Sequence, residues 1–95
     1  MTMTKQNFII LLEETLVLAK KRLEQEQTSM WVSIINQLND IRLNVVEKYA
    51  FNDWEEIHDR YTLGNIAARQ LSDDDDLQQR LFSIFWGAVH WNELQ

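Results

Sequence analysis

The chain has 95 residues, the size of one domain, and its hydrophobic fraction of 45% excludes an intrinsically disordered chain. It contains no cysteine, no proline and only two glycines, which excludes disulfides and cysteine-ligated zinc and leaves an all-β fold without its turn residues. The net charge of −6 lies wholly in the second half, since residues 1–50 hold six basic and six acidic side chains and residues 51–95 hold three and nine.

The first predicted helix runs from about Thr4 to Glu26. Its apolar residues recur at spacings of three and four, as one helix face requires: Ile9, Leu12, Leu16, Ala19 and Leu23. The second helix is predicted to begin at Thr28 or Ser29, whose hydroxyl can cap it, and to end near Glu47. Because only a few residues separate the two helices, they are expected to form an antiparallel hairpin.

The third predicted helix is short. Asp53 and Glu56 are spaced as in a capping box, with aspartate replacing the usual serine or threonine, and the helix reaches about Tyr61. Gly64 then interrupts the helical pattern, and residues 65–71 are expected to form one or two further turns.

The last predicted helix begins after Ser72, where a capping hydroxyl is followed by four aspartates that suit the positive end of the helix dipole. From Leu81 onward this helix is apolar almost all round, so it is either central to the core or covered by a partner. The predicted fold is therefore all-α: one domain over residues 1–95, a small bundle of four to five helices.

Two acidic clusters form the candidate partner-binding surface. The first is Asp53, Trp54, Glu55, Glu56, His58 and Asp59, and the second is the run Asp73, Asp74, Asp75 and Asp76. Capping needs only one or two acids and adjacent carboxylates repel, so docking of a basic partner accounts for the excess; capping plus solvation is the alternative. The pattern of a calcium loop and the second Glu-x-x-His motif of a di-metal bundle are absent, so no metal or cofactor is predicted.

Four tryptophans are many for a chain of this length. Trp54 is the first candidate for display on the surface because acids flank it, and Trp91 is the second. Trp31 and Trp86 are expected to be structural, since a buried tryptophan supplies a large apolar area to a small core.

Binding is predicted and catalysis is not. The sequence has no phosphate loop and no nucleophile elbow, and the neighbours His58 and Asp59 have no nucleophile to serve. The acidic half repels nucleic acid and attracts basic surfaces, so the expected partner is a basic protein. The apolar run of residues 8–12 is too short for a signal peptide or a membrane span, which makes the cytoplasm the expected compartment.

Two stretches resemble the small helical immunity proteins that bacteria produce together with secreted or contact-delivered toxins. They are residues 61–69 (Tyr-Thr-Leu-Gly-Asn-Ile-Ala-Ala-Arg) and residues 85–94 (Phe-Trp-Gly-Ala-Val-His-Trp-Asn-Glu-Leu). The resemblance implies a cognate toxin domain as partner, with a nuclease as the first expectation, and it assigns no role to any single residue.

Two other functions stay open on the sequence. The chain is alternatively a homo-oligomeric or scaffold-binding adaptor that uses its apolar C-terminal helix. Mimicry of DNA by the acidic face would use the same chemistry as toxin binding, and the sequence does not separate the two. Salt separates the adaptor from a steered toxin complex, because screening slows steered association and leaves an apolar contact intact.

Overall fold

A computed structural model describes residues 3–51 and 53–95, with the exception of the side chain of Asp75. Within those residues the chain forms five α-helices and no strand, which confirms the all-α bundle. The helices are α1 (Lys5–Glu26), α2 (Ser29–Ile41), α3 (Trp54–Arg60), α4 (Leu63–Gln70) and α5 (Asp75–Val89). A π-helical turn (Arg42–Glu47) extends α2, and a 3-10 turn (Trp91–Glu93) follows α5. In this part of the chain, no helix has the length and hydropathy to cross a membrane.

The first hairpin has the predicted bounds. The Thr4 side chain caps α1 by accepting a 3.0 Å hydrogen bond from the Asn7 backbone. At the other end Gln27 takes a left-handed conformation with φ of 32°, and its N–H donates to the Leu23 carbonyl. Thr28 precedes α2, yet its side chain makes no capping bond, so the prediction of a hydroxyl cap was wrong at this position. Residues 27–28 alone join α1 to α2, which makes the pair an antiparallel hairpin.

The starts of α4 and α5 differ from the prediction. Gly64 lies inside α4 and does not interrupt it, because the buried Leu63 and Ala67 hold the helix against the core from its first residue. Ser72 is not the cap of α5. The Asp74 N–H donates to the Leu71 carbonyl at 3.0 Å, so the chain turns first, and the Asp74 side chain then caps the helix.

The core is built where α5 packs against α1, α3 and α4. Its largest fully buried side chains come from every helix: Phe8, Leu12, Trp31, Ile34, Leu38, Ile41, Ile57, Leu63, Leu81 and Ile84. Gly87 faces α1 so closely that a Cβ on it would lie 2.5 Å from Cδ2 of Phe8. Glycine therefore sets how near α1 and α5 can approach.

Candidate functional site

The most exposed aromatic side chains lie in one groove between α3 and α5. Trp54 of α3 is 55% exposed, and Trp86 of α5 is 51% exposed. The groove has a volume of about 560 Å³, and the other residues of its wall are His58, Phe82, Phe85, Val89, His90 and Glu93. We call this set of eight residues the aromatic groove. Large exposed aromatic surface is unfavourable in water, so a cluster of this kind marks an interaction site.

Ring contacts fix the walls of the aromatic groove. The His58 ring lies edge-on between two others, with its centroid 6.2 Å from Trp54 and 5.4 Å from Phe85, and so joins α3 to α5. The His90 ring stacks on Trp86 at 4.3 Å, and its Nδ1 lies 2.8 Å from the Trp86 carbonyl. Because a carbonyl only accepts, Nδ1 carries the hydrogen, which leaves Nε2 of the neutral ring as an acceptor.

The first predicted cluster stands together on α3. Asp53 caps the helix, and its Oδ1 accepts a 3.0 Å hydrogen bond from the Glu56 N–H, as the capping-box spacing predicts. Trp54 and His58 line the aromatic groove, while Glu55, Glu56 and Asp59 are exposed on the same helix. Carboxylates therefore lie beside the exposed rings.

The aspartate run lies elsewhere and is partly engaged within the chain. Asp74 caps α5 and forms an ion pair with Arg22 of α1. Asp76 binds Arg80 at 3.1 Å, Arg80 also reaches Glu14 at 3.4 Å, and these contacts raise the pKa of Arg80. Asp73 is exposed, and the side chain of Asp75 lies outside the described part of the chain.

The structure does not bring the two predicted clusters into one site. Asp74 precedes Phe85 by eleven residues, which is about 16 Å along α5 at the usual rise per residue. The aspartate run therefore stands at the start of α5, and the aromatic groove at its far end. Partner binding by either cluster stays a prediction.

A polar network clamps the end of α3 to α2. The Arg60 guanidinium donates to both carboxylate oxygens of Asp40, at 2.7 and 3.0 Å, and the Tyr61 hydroxyl and the Asn44 amide donate to the same carboxylate at 2.5 and 2.9 Å. Arg60 lowers the pKa of Asp40, whereas burial and the bond to Asp40 raise the pKa of Tyr61. The network fixes α3, and with it one wall of the aromatic groove.

Gln37 completes this clamp. Its Oε1 accepts from the Thr62 N–H at 2.8 Å, and its Nε2 donates to the Thr62 hydroxyl at 2.9 Å. Side chains of α2 thus hold three successive residues at the junction of α3 and α4.

Asp40→Asn is expected to lower the free energy of unfolding by about 1–2 kcal/mol at neutral pH, because it weakens several charge-assisted hydrogen bonds at a partly exposed site. Since the folded pKa of Asp40 is lowered, its contribution is present above the unfolded pKa, about pH 4, and is lost as the pH falls through the folded value. Urea unfolding at several pH values measures both effects. A difference between the two proteins that grows below pH 4, taken as roughly the unfolded pKa, would contradict the assignment.

Two of the tryptophan predictions were wrong. Trp86 was predicted to be structural and is half exposed, whereas Trp91 was predicted to be displayed and is only 8% exposed. The 3-10 turn after α5 returns Trp91 to the core, where its ring lies 5.5 Å from Phe8. A signal for Trp86 was present, because Phe82, Trp86, Val89 and Glu93 share one side of a helix at spacings of four, three and four.

No three histidine, aspartate or glutamate side chains come together as a metal site in the residues that the structure describes. The pair of His58 Nδ1 and Asp59 Oδ1, 3.5 Å apart, is exposed to solvent. The arrangement as a whole is one of recognition: half-exposed rings, a rigid support and neighbouring carboxylates.

Comparisons with known proteins give one family. The chain matches the model of the family Tsi6 over residues 8–90, which spans the bundle from the first turn of α1 to the end of α5. No curated protein matches the chain, and no solved structure matches it.

Proposed function

Since the chain belongs to the Tsi6 family, a family of toxin-immunity proteins of type VI secretion, we propose that it neutralises its cognate toxin by docking its acidic α3 and aromatic groove on a basic toxin domain. One observation supports this most. Two half-exposed tryptophans of different helices meet in one groove beside exposed carboxylates. Aromatic anchors next to charge are the usual composition of a tight protein interface.

The toxin domain in this proposal is a nuclease, held in the cytoplasm. A nuclease cleft is basic because its substrate is a polyanion, and residues 51–95 hold nine acidic against three basic side chains. Carboxylates on α3 would steer the two proteins together and would occupy the cleft that the nucleic acid needs. Neutralisation would then be direct competition with substrate.

Charge reversal on α3 tests the electrostatic part. Glu55→Lys with Asp59→Lys is expected to lower the association rate constant for the toxin by about tenfold at low salt, because steering depends on the local field. The difference from the unaltered protein is expected to shrink above about 0.5 M salt, where charges are screened. Biolayer interferometry with the toxin domain encoded beside this gene measures both rate constants.

The matched control is Glu24→Lys with Glu13→Lys, which changes the net charge equally at exposed positions of α1 that do not line the aromatic groove. It is expected to change the association rate by less than about threefold. Equal slowing by both pairs would mean that net charge alone acts. Unchanged rates for the α3 pair at low salt would remove electrostatic docking from the proposal.

A second candidate function is a homo-oligomeric or scaffold-binding adaptor, favoured by the exposure of Phe82 and Trp86 on α5. In that case α5 would bind a second copy or a scaffold through apolar contact. Sedimentation velocity in low and high salt separates the two functions. Toxin neutralisation predicts a monomer until the toxin is added, whereas the adaptor predicts a salt-resistant oligomer of the chain alone.

A further inference from the structure

We propose that the aromatic groove is a receptor for an arginine side chain of the toxin. This inference rests on the proposed function, because it names the chemical group that the same surface recognises. Its basis is the juxtaposition of two exposed tryptophan rings with carboxylates on both walls of the groove.

The chain itself uses cations on its inner aromatic rings and leaves the outer ones uncovered. The Lys5 Nζ lies 5.3 Å from the centroid of Trp91, and the Arg22 guanidinium lies 6.0 Å from that of Trp31. Over the part of the chain that the structure describes, no lysine or arginine covers the two exposed tryptophans of the groove. An incoming cation would therefore find their faces accessible.

The charge of the walls suits a cation. Among the residues of the aromatic groove there is no lysine or arginine, and Glu93 is exposed at its edge. On α3, Glu55 and Asp59 are exposed nearby, while the arginine of that helix, Arg60, is held on the α2 side by Asp40 at 2.7 and 3.0 Å. A partner's arginine would meet carboxylates without a competing internal cation in the groove.

Arginine fits this groove better than lysine does. A planar guanidinium can stack on an indole face and donate to a carboxylate at once, whereas an ammonium is compact and strongly hydrated. Glu93 supplies the carboxylate, and the Nε2 acceptor of His90 faces the same groove beside Trp86. The volume of about 560 Å³ also leaves room for residues next to the arginine.

The test is an NMR titration of the full chain, with no toxin present. The probe is N-acetyl-arginine amide, and the matched control is N-acetyl-citrulline amide, which keeps the length and planar head but has no charge. We expect the arginine probe to shift the indole N–H signals of Trp54 and Trp86 and to bind about 2- to 30-fold more tightly than citrulline. The signals of the buried Trp31 and Trp91 should stay in place and serve as internal references.

Two variants test the role of the rings. Trp86→Leu keeps an apolar side chain without a π face and is expected to remove most of the preference for arginine over citrulline, whereas Trp86→Phe is expected to retain part of it. Trp54→Leu makes the same test on the opposite wall, so the inference stays testable if one variant misfolds. Equal binding of the two probes, equal shifts of all four indoles, or an undiminished preference in both leucine variants would overturn it.

The titration fails separately from the proposed function. If charge reversal on α3 slows toxin association while the arginine probe shows no preference, electrostatic docking stands and the arginine receptor is wrong. If the probe binds as expected while toxin association ignores both charge and salt, the groove is an arginine receptor and the docking mode is wrong.

Discussion

Trp86→Ala is expected to weaken toxin binding by about 30-fold or more, which corresponds to the 2 kcal/mol or so of an interface hot spot. The half-exposed ring is a wall of the aromatic groove, and toxin binding would bury it. Most of the loss should lie in a faster dissociation rate, because short-range apolar contact holds a complex together after encounter. The free energy of unfolding should fall by only about 1 kcal/mol or less, since the exposed face contributes little to the fold.

Trp31→Ala is the matched control, with the same change of side chain at a buried site. Trp31 is 1% exposed, and its indole N–H donates to Glu26 at 2.8 Å. We expect it to lower the free energy of unfolding by about 3–5 kcal/mol. Isothermal titration calorimetry with the toxin domain and urea unfolding measure the two quantities. If Trp86→Ala left the affinity within about twofold, this ring would not be an anchor of the complex.

Gly87→Ala is expected to lower the free energy of unfolding by about 2 kcal/mol, although alanine is the better helix former by about 1 kcal/mol. The added methyl carbon would lie 2.5 and 2.8 Å from Cδ2 and Cε2 of Phe8. Phe8 is fully buried and packs on Trp91 at 5.5 Å, so its ring has no room to retreat. Either α1 and α5 must separate or the core must repack.

Gly64→Ala is the control, because the nearest atom to its added Cβ is Phe85 Cδ1 at 3.9 Å, an ordinary contact. It should raise the free energy of unfolding by about 0.5–1 kcal/mol through helix propensity and a less flexible unfolded chain. Urea unfolding of both variants gives the comparison. A stabilised Gly87→Ala would show that the approach of α1 to α5 is looser than the structure indicates.

Local signals in the sequence predicted the helices well and their starts unevenly. Thr4 and Asp53 cap α1 and α3 as predicted, because a cap depends on a side chain and a backbone N–H three residues away. Ser72 and Gly64 misled, because the turn that joins Leu71 to Asp74 and the burial of α4 are set by tertiary packing. Such packing overrides local preference where the two compete.

The candidate site was half visible in the sequence. The acids around Trp54 indicate an exposed helix, and the structure exposes it. The other wall was missed, since α5 has two apolar faces and only the approach of α1 at Gly87 decides which one is covered. The pairing of Arg22 with Asp74 joins residues 52 apart in sequence, a distance over which no local pattern indicates a contact.

The division of the four tryptophans into two inner and two outer ones gives the protein a built-in optical reporter. Trp31 and Trp91 fluoresce from apolar surroundings, whereas Trp54 and Trp86 fluoresce from near water. A partner that covers the groove would dry the outer pair and move the emission toward the blue. Unfolding would wet the inner pair and move it toward the red. Complex formation and loss of structure would thus change the colour of the same unlabelled sample in opposite directions.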